Sequence, residues 1–148
     1  MIEINKATNA DIPDLSEMLG ILFIQDIEFI PDIEKQKKGI LLIINNPEVG
    51  QILVMKEHGQ IIGMLNILFS VSTALGEKVA ILEDMIIKPG KRGKGLGTKL
   101  LLKGISFAKD CSCKRITLLT DFNNSKAISF YEKLGFVKSD MIPLRMLF

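Results

Sequence analysis

Apolar and polar positions change period several times along the chain, and each change predicts an element. Ile2 and Ile4 alternate with polar neighbours across IEINKAT, the pattern of a strand. Leu15, Met18, Leu19 and Leu22 then recur at helical spacing. Asn9 or Asp11 is placed to cap that helix, and Pro13 suits its first turn. Pro31 breaks the chain, and DIEKQKKGILLIINNP predicts a second helix, begun by Asp32 and stopped before Glu48 by Asn-Asn-Pro. The middle is strand-like. QILVMKEHGQIIGMLNILFSVST carries an EHGQ turn between two apolar runs, and GEKVAILEDMIIKP follows another Gly-containing turn. From Gly95 the helical period returns, through Leu96, Leu100, Leu101, Ile105 and Ala108. KRITLLT predicts a strand and NNSKAISFYEKLG a helix, with Asn at its start and Gly135 as a left-handed C-cap. FVKSD and PLRMLF close the chain as two short strands.

This order predicts an α/β (α+β) fold in one domain, residues 1–148. Its sheet is mixed, mostly antiparallel and six- to seven-stranded, with helices on both faces. Charge and composition narrow the classes. A net charge of +2 is too near neutral to argue for nucleic-acid binding. Cys111 and Cys113 are separated by one residue, too close for an internal disulfide or a zinc site, which predicts reduced thiols and no metal. The N-terminal residues MIEINKATNADIP do not form a signal peptide, and no apolar stretch is long enough to span a membrane. The expectation is a soluble, cytoplasmic protein. The apolar final segment IPLRMLF reads either as a core strand or as the edge of a homodimer.

The densest chemistry lies in KPGKRGKGLGTKLL, where Gly90, Gly93, Gly95 and Gly97 precede a helix. Glycine there lets an anion approach the backbone, and the first N–H groups of a helix have no internal partner. Two familiar phosphate loops fail. Leu96 stands where a P-loop needs lysine, and Thr98 follows Gly93 and Gly95 where a dinucleotide fingerprint needs its third glycine. What remains is R-x-x-G-x-G, from Arg92 to Gly97.

LEDMIIKPGKRGKGLGTKLL resembles the acetyl-CoA-binding motif of the GNAT N-acetyltransferases. NNSKAISFYEKLGF resembles the second signature of the same family, N-x-x-A-x-x-F-Y-x-x-x-G-F. The resemblance implies a GNAT-like acyl-CoA N-acyltransferase fold. It also implies that Arg92, Gly93, Lys94, Gly95, Leu96, Gly97 and Thr98 wrap the pyrophosphate of acetyl-CoA, mostly through backbone N–H groups. Met85, Ile86 and Ile87 would present backbone to the pantetheine arm, with Asn124 and Tyr131 approaching from the last helix.

Acetyl transfer to a primary amine by direct attack needs a neutral amine, donors for the developing oxyanion and a proton for the departing thiolate. Glu83 is the candidate base, because a carboxylate interrupting an apolar strand is expected to be partly buried and raised in pKa. A paired structural carboxylate is the other reading. Strand alternation puts Glu83 and Asp84 on opposite faces unless a bulge intervenes. The resemblance implies that Tyr131, the chain's only tyrosine, is the acid, with core packing as its alternative. Asp26 and Phe29, in the acidic break between the first two helices, are candidates for binding a small-molecule or peptide amine, although cap and surface charge explain the same residues. A non-catalytic CoA-sensing or interaction module on this fold is the rival to the enzyme, and nucleic-acid binding by the basic loop is a weaker one.

Overall fold

The computed structural model describes residues 1–148, the whole of the sequence. The elements are β1 (Ile2–Lys6), a 3-10 turn (Asn9–Asp11), α1 (Ile12–Gln25), α2 (Ile33–Ile44), β2 (Gly50–Glu57), β3 (Gln60–Ser72), β4 (Glu77–Ile87), α3 (Leu96–Asp110), β5 (Ile116–Leu118) and α4 (Ser125–Lys133). The sheet runs β1-β2-β3-β4-β5, antiparallel throughout except for the parallel β4–β5 pair. The α/β architecture expected from the apolar periods is present, with five strands in place of six to seven.

The missing strands are FVKSD and PLRMLF. Residues 137–148 adopt no regular structure and lie exposed. An apolar pattern favours a strand only where a neighbouring strand supplies hydrogen bonds and a surface to pack on. β5, the edge strand, is only three residues long, Ile116–Leu118, and so offers little edge for a further strand to extend. The last segment is tied down instead by an ion pair, Arg145 Nε to Glu28 Oε2 at 2.7 Å.

Each face of the sheet buries its own apolar cluster. Leu53, Met55, Leu65, Ile67, Leu82 and Ile87 pack with Leu100, Leu101 and Ala108 of α3. Ile52, Val54, Met64 and Ile86 pack on the other face with Leu15, Met18 and Leu19 of α1 and Ile40 of α2. Neighbouring strand residues go to opposite clusters, as a two-residue period requires. α3 approaches the sheet closely at Gly104, where an added Cβ would collide with the Leu65 side chain.

α1 and α2 are locked together by one side chain. Gln36 Nε2 donates to the Ser16 carbonyl at 2.7 Å, and Gln36 Oε1 accepts from Asp32 N–H at 2.7 Å. Asp32 caps α2 by accepting from the N–H groups of Glu34 and Lys35. At the start of α1, Thr8 N–H donates to Asp11 Oδ2 at 2.8 Å, and Lys56 Nζ holds the other carboxylate oxygen at 2.7 Å.

Candidate active site

The parallel pairing of β4 with β5 ends at Leu82–Leu118. Beyond it, β4 continues from Glu83 to Ile87 with no strand on that side. An extended stretch of backbone is therefore left without a strand partner along one edge, and its free N–H and C=O groups, the Ile87 carbonyl held by Arg92 excepted, can accept an added strand-like ligand. Met85, Ile86 and Ile87, expected to face the pantetheine arm, occupy this stretch.

The glycine-rich loop leads from this edge into α3. Gly90, Gly93 and Gly95 all have positive φ, and nothing lies within 4 Å of a Cβ built on any of them. Gly95 forms the N-cap of α3 in the left-handed conformation, and no side chain caps the helix. By contrast, Asp32 caps α2 and Asn124 caps α4. The first N–H groups of α3 therefore remain open beside three glycines, the arrangement that suits a phosphate. Gly97 sits 3.7–3.8 Å from Met85, Ile87 and Phe130 when given a Cβ, which puts the start of α3 against the bare edge of β4 and against α4.

Two side chains brace the loop. Arg92 Nε donates to the Ile87 carbonyl at 2.8 Å, and Lys91 pairs with Glu57 of β2. The guanidinium expected to meet pyrophosphate charge is thus anchored through Nε, with its terminal nitrogens left over. Lys94 is exposed, while Leu96 and Thr98 are half-buried in the first turn of α3. Asn124 is engaged as well, its Oδ1 accepting from Ala127 N–H at 3.1 Å, so only its Nδ2 remains to donate to a ligand.

A bulge decides where the carboxylates go. Met64 pairs with Ile86 and Asn66 with Glu83, so two steps along β3 match three along β4. Asp84 takes φ +52° within this irregularity. The result departs from simple alternation, because Glu83 and Asp84 line the same cavity. Glu83, expected to be partly buried, is exposed. Asp84 carries the burial instead. Its carboxyl is pushed up to about 6, chiefly by desolvation, with the charges of Glu83 and Asp26 adding to the shift and a hydrogen bond from Asn66 opposing it.

The cavity is about 500 Å³ and lies between β3–β4 and the α1–α2 pair. Phe23, Phe29, Ile40, Met64 and Leu68 form much of its apolar wall. Phe29 is where the sequence suggested, its ring 5.4 Å from that of Phe23. Asp26 is not in the wall, but its charge reaches Asp84. Asp26 itself is raised by burial first and then by Asp121 and Glu28, so the acidic group gathers residues from three parts of the chain. Tyr131 is half-buried, between Phe130 and Phe136 at ring distances of 5.3 and 5.9 Å, and burial raises its phenol. No group of His, Cys, Asp and Glu side chains is arranged to hold a metal ion.

Sequence reasoning missed Asn66 and assigned Asp84 no role. The signal for the bulge was present. Apolar positions on the α3 face run Ala80, Leu82, then Met85 and Ile87, a change from even to odd numbers that only an extra residue permits. Asn66 gave a fainter sign, as a lone amide in the apolar run IIGMLNILF.

Residues 17–136 match the model of the Acetyltransferase (GNAT) family. The uncharacterized N-acetyltransferase YhfO of Bacillus subtilis is 34% identical over 85 residues, which cover 57% of this chain and 57% of that protein. The glucosamine 6-phosphate N-acetyltransferase of Trypanosoma brucei brucei is 29% identical over 89 residues, 60% of this chain and 58% of that one. The matched segment therefore spans less than two thirds of each of these relatives. In three dimensions, the chain is similar to the crystal structure of a predicted acetyltransferase with acetyl-CoA from Clostridium acetobutylicum, with a TM-score of 0.81 at 22% identity over 98% of this chain and 96% of the other. With a family match running from α1 to the end of the α4 signature, on a fold of the same shape, the chain belongs to the GNAT acetyltransferase family.

Proposed function

We propose that the protein is an N-acetyltransferase that moves an acetyl group from acetyl-CoA to a primary amine by direct attack in a ternary complex. The observation that carries this reading is the meeting of the uncapped, glycine-rich start of α3 with the bare edge of β4, beside a cavity lined by carboxylates. Acetyl-CoA fits that surface. Gly90, Gly93 and Gly95 leave room where side chains would stand, and the N–H groups of Leu96, Gly97 and Thr98 face the diphosphate charge. The Lys94 ammonium and the terminal nitrogens of Arg92 add positive charge. Met85, Ile86 and Ile87 offer backbone partners to the amide-bearing arm. Bound there, acetyl-CoA supplies an activated acyl group as its thioester.

The chain's own groups manage the protons. Glu83, open to solvent in the cavity wall, accepts the proton that the ammonium must lose and passes it to water. The neutral nitrogen then attacks the acetyl carbonyl, and backbone N–H at the Met85 bulge polarises the oxygen. The C–N bond forms as the C–S bond breaks, Tyr131 gives its phenolic proton to the departing sulfur, and the second proton shed by the new amide nitrogen leaves through Glu83 to water, from which Tyr131 regains its own. A phenol whose pKa is raised by burial stays protonated at neutral pH, as an acid in this role must.

The test is amine-dependent release of free thiol from acetyl-CoA, read over a panel of polyamines, aminoglycosides, amino acids, alkylamines and peptides. Release with at least one class is expected. Tight acetyl-CoA binding with no release for any amine would turn the reading into a cofactor-sensing module.

A further inference from the structure

The cavity wall contains a polar side chain whose hydrogen bonding is incomplete. Strand alternation aims Met64, Asn66 and Leu68 of β3 at the α1–α2 side, where the cavity lies, while Leu65 and Ile67 face α3. Asn66 is 3% exposed. Its Nδ2 donates to Asp84 Oδ2 at 3.3 Å, and its Oδ1 has no partner at all. A buried acceptor left unmade keeps the full cost of its lost hydration, so folds rarely hold one without a use.

The other polar groups of the wall are largely committed. Gln36 spends both ends of its amide on Asp32 and Ser16. Asp32 caps α2, and Glu28 is paired with Arg145. Asn66 Oδ1, Asp84, Glu83 and one cation, Lys35, remain, so three of the four are acceptors or carboxylates, gathered on β3 and β4. Such a group calls for a donor carrying positive charge. The rest of the wall is apolar, and the volume suits a small organic molecule.

We propose that the acceptor is a primary amine on an uncharged apolar body, an arylalkylamine or alkylamine, whose ammonium donates to Asn66 Oδ1 and the Asp84 carboxylate while its body lies against Phe23, Phe29, Ile40 and Leu68. This rests on the reading of the protein as an amine acetyltransferase. An amine bearing a phosphate or carboxylate would bring like charge towards Glu83, Asp84 and Asp26, with Lys35 as the single cation in the wall. One end of the site is therefore selective for charge and the rest for surface.

Binding and turnover test this separately. Calorimetric titration of the full chain with phenethylamine, hexylamine, lysine and glucosamine 6-phosphate reads binding, and thiol release from acetyl-CoA reads transfer. Phenethylamine and hexylamine are expected to bind and to react with kcat/KM at least about tenfold above the two anion-bearing amines. Asn66→Leu, which keeps the branched shape and removes the acceptor, is expected to raise KM for phenethylamine about tenfold with acetyl-CoA affinity unchanged. Equal or better use of lysine or glucosamine 6-phosphate overturns the substrate class and leaves acetyl transfer standing. Binding of the apolar amines without thiol release supports the ligand class and sinks the transfer reading. Failure of both apolar amines to bind overturns the inference, whatever the variant does.

Discussion

The two halves of the site are built from different materials. The half proposed for the donor is backbone, comprising the N–H groups at the start of α3, a strand edge without a neighbouring strand and glycines that keep the approach clear. The acceptor half is side chains, brought to one cavity by α1, α2, β3, β4 and the turn between the first two helices. Backbone recognition has few solutions, because every chain offers the same groups and only glycine clears the way. Side-chain recognition has many. The difference teaches that a fold can hold one substrate constant and vary the other without touching the same atoms.

The hardest blow to this division falls on the donor half. Gly95→Val puts a branched side chain at φ +74° in the cap of α3, and is expected to weaken acetyl-CoA binding by about a hundredfold while leaving amine binding intact. Calorimetry with each ligand checks it, and equal loss of both affinities would break the division. On the acceptor half, Asp84→Asn is expected to stabilise the fold by about 2–3 kcal/mol at pH 8, because a carboxyl moved from 3.8 to about 6 holds its proton more tightly folded than unfolded. Ionisation removes stability as pH rises from about 4 to about 6, so the gain should vanish near pH 3.5 in thermal melts at the two pH values. The same substitution should raise KM for the amine at pH 8, and in the unmodified protein KM should climb as pH falls through about 6 and Asp84 becomes neutral.

Tyr131→Phe sharpens the boundary between the halves. It is expected to lower kcat at least about tenfold with acetyl-CoA affinity little changed, as stopped-time assays and titration would show; unchanged turnover would remove Tyr131 from the chemistry. The smallest effect belongs to Arg145→Ala. Its ion pair with Glu28 is half exposed, so stability should fall by less than about 1 kcal/mol. A change in amine KM in that variant would mean that the C-terminal segment helps shape the acceptor wall.

Sequence and structure agree best where local rules are strict. α1, α2, α3 and α4 could be read from apolar period and caps, and the glycine-rich turn before α3 from its glycines. The carboxylates could not be placed, because a bulge moves Asp84 onto the face that alternation denies it. The buried group proved to be Asp84 rather than Glu83, since burial depends on how β3 and the helices close over the strand. The last two strands failed for a related reason. Residues 137–148 have strand-like apolarity, but pairing is a property of neighbours, and the edge strand β5, three residues long, offers little for another strand to extend.

The bare stretch of β4 has one more consequence. An unpaired strand edge is a template for any extended chain, and proteins commonly blunt such edges with charge, bulges or cover. Here Glu83 and Asp84 place two negative charges and a bulge at the start of the stretch, while Met85, Ile86 and Ile87 follow with apolar side chains. The feature that would welcome an extended thioester arm is also open to edge-to-edge association with other chains. A ligand lying along it would act as a solubility device as well as a reactant, covering the edge for as long as it stays.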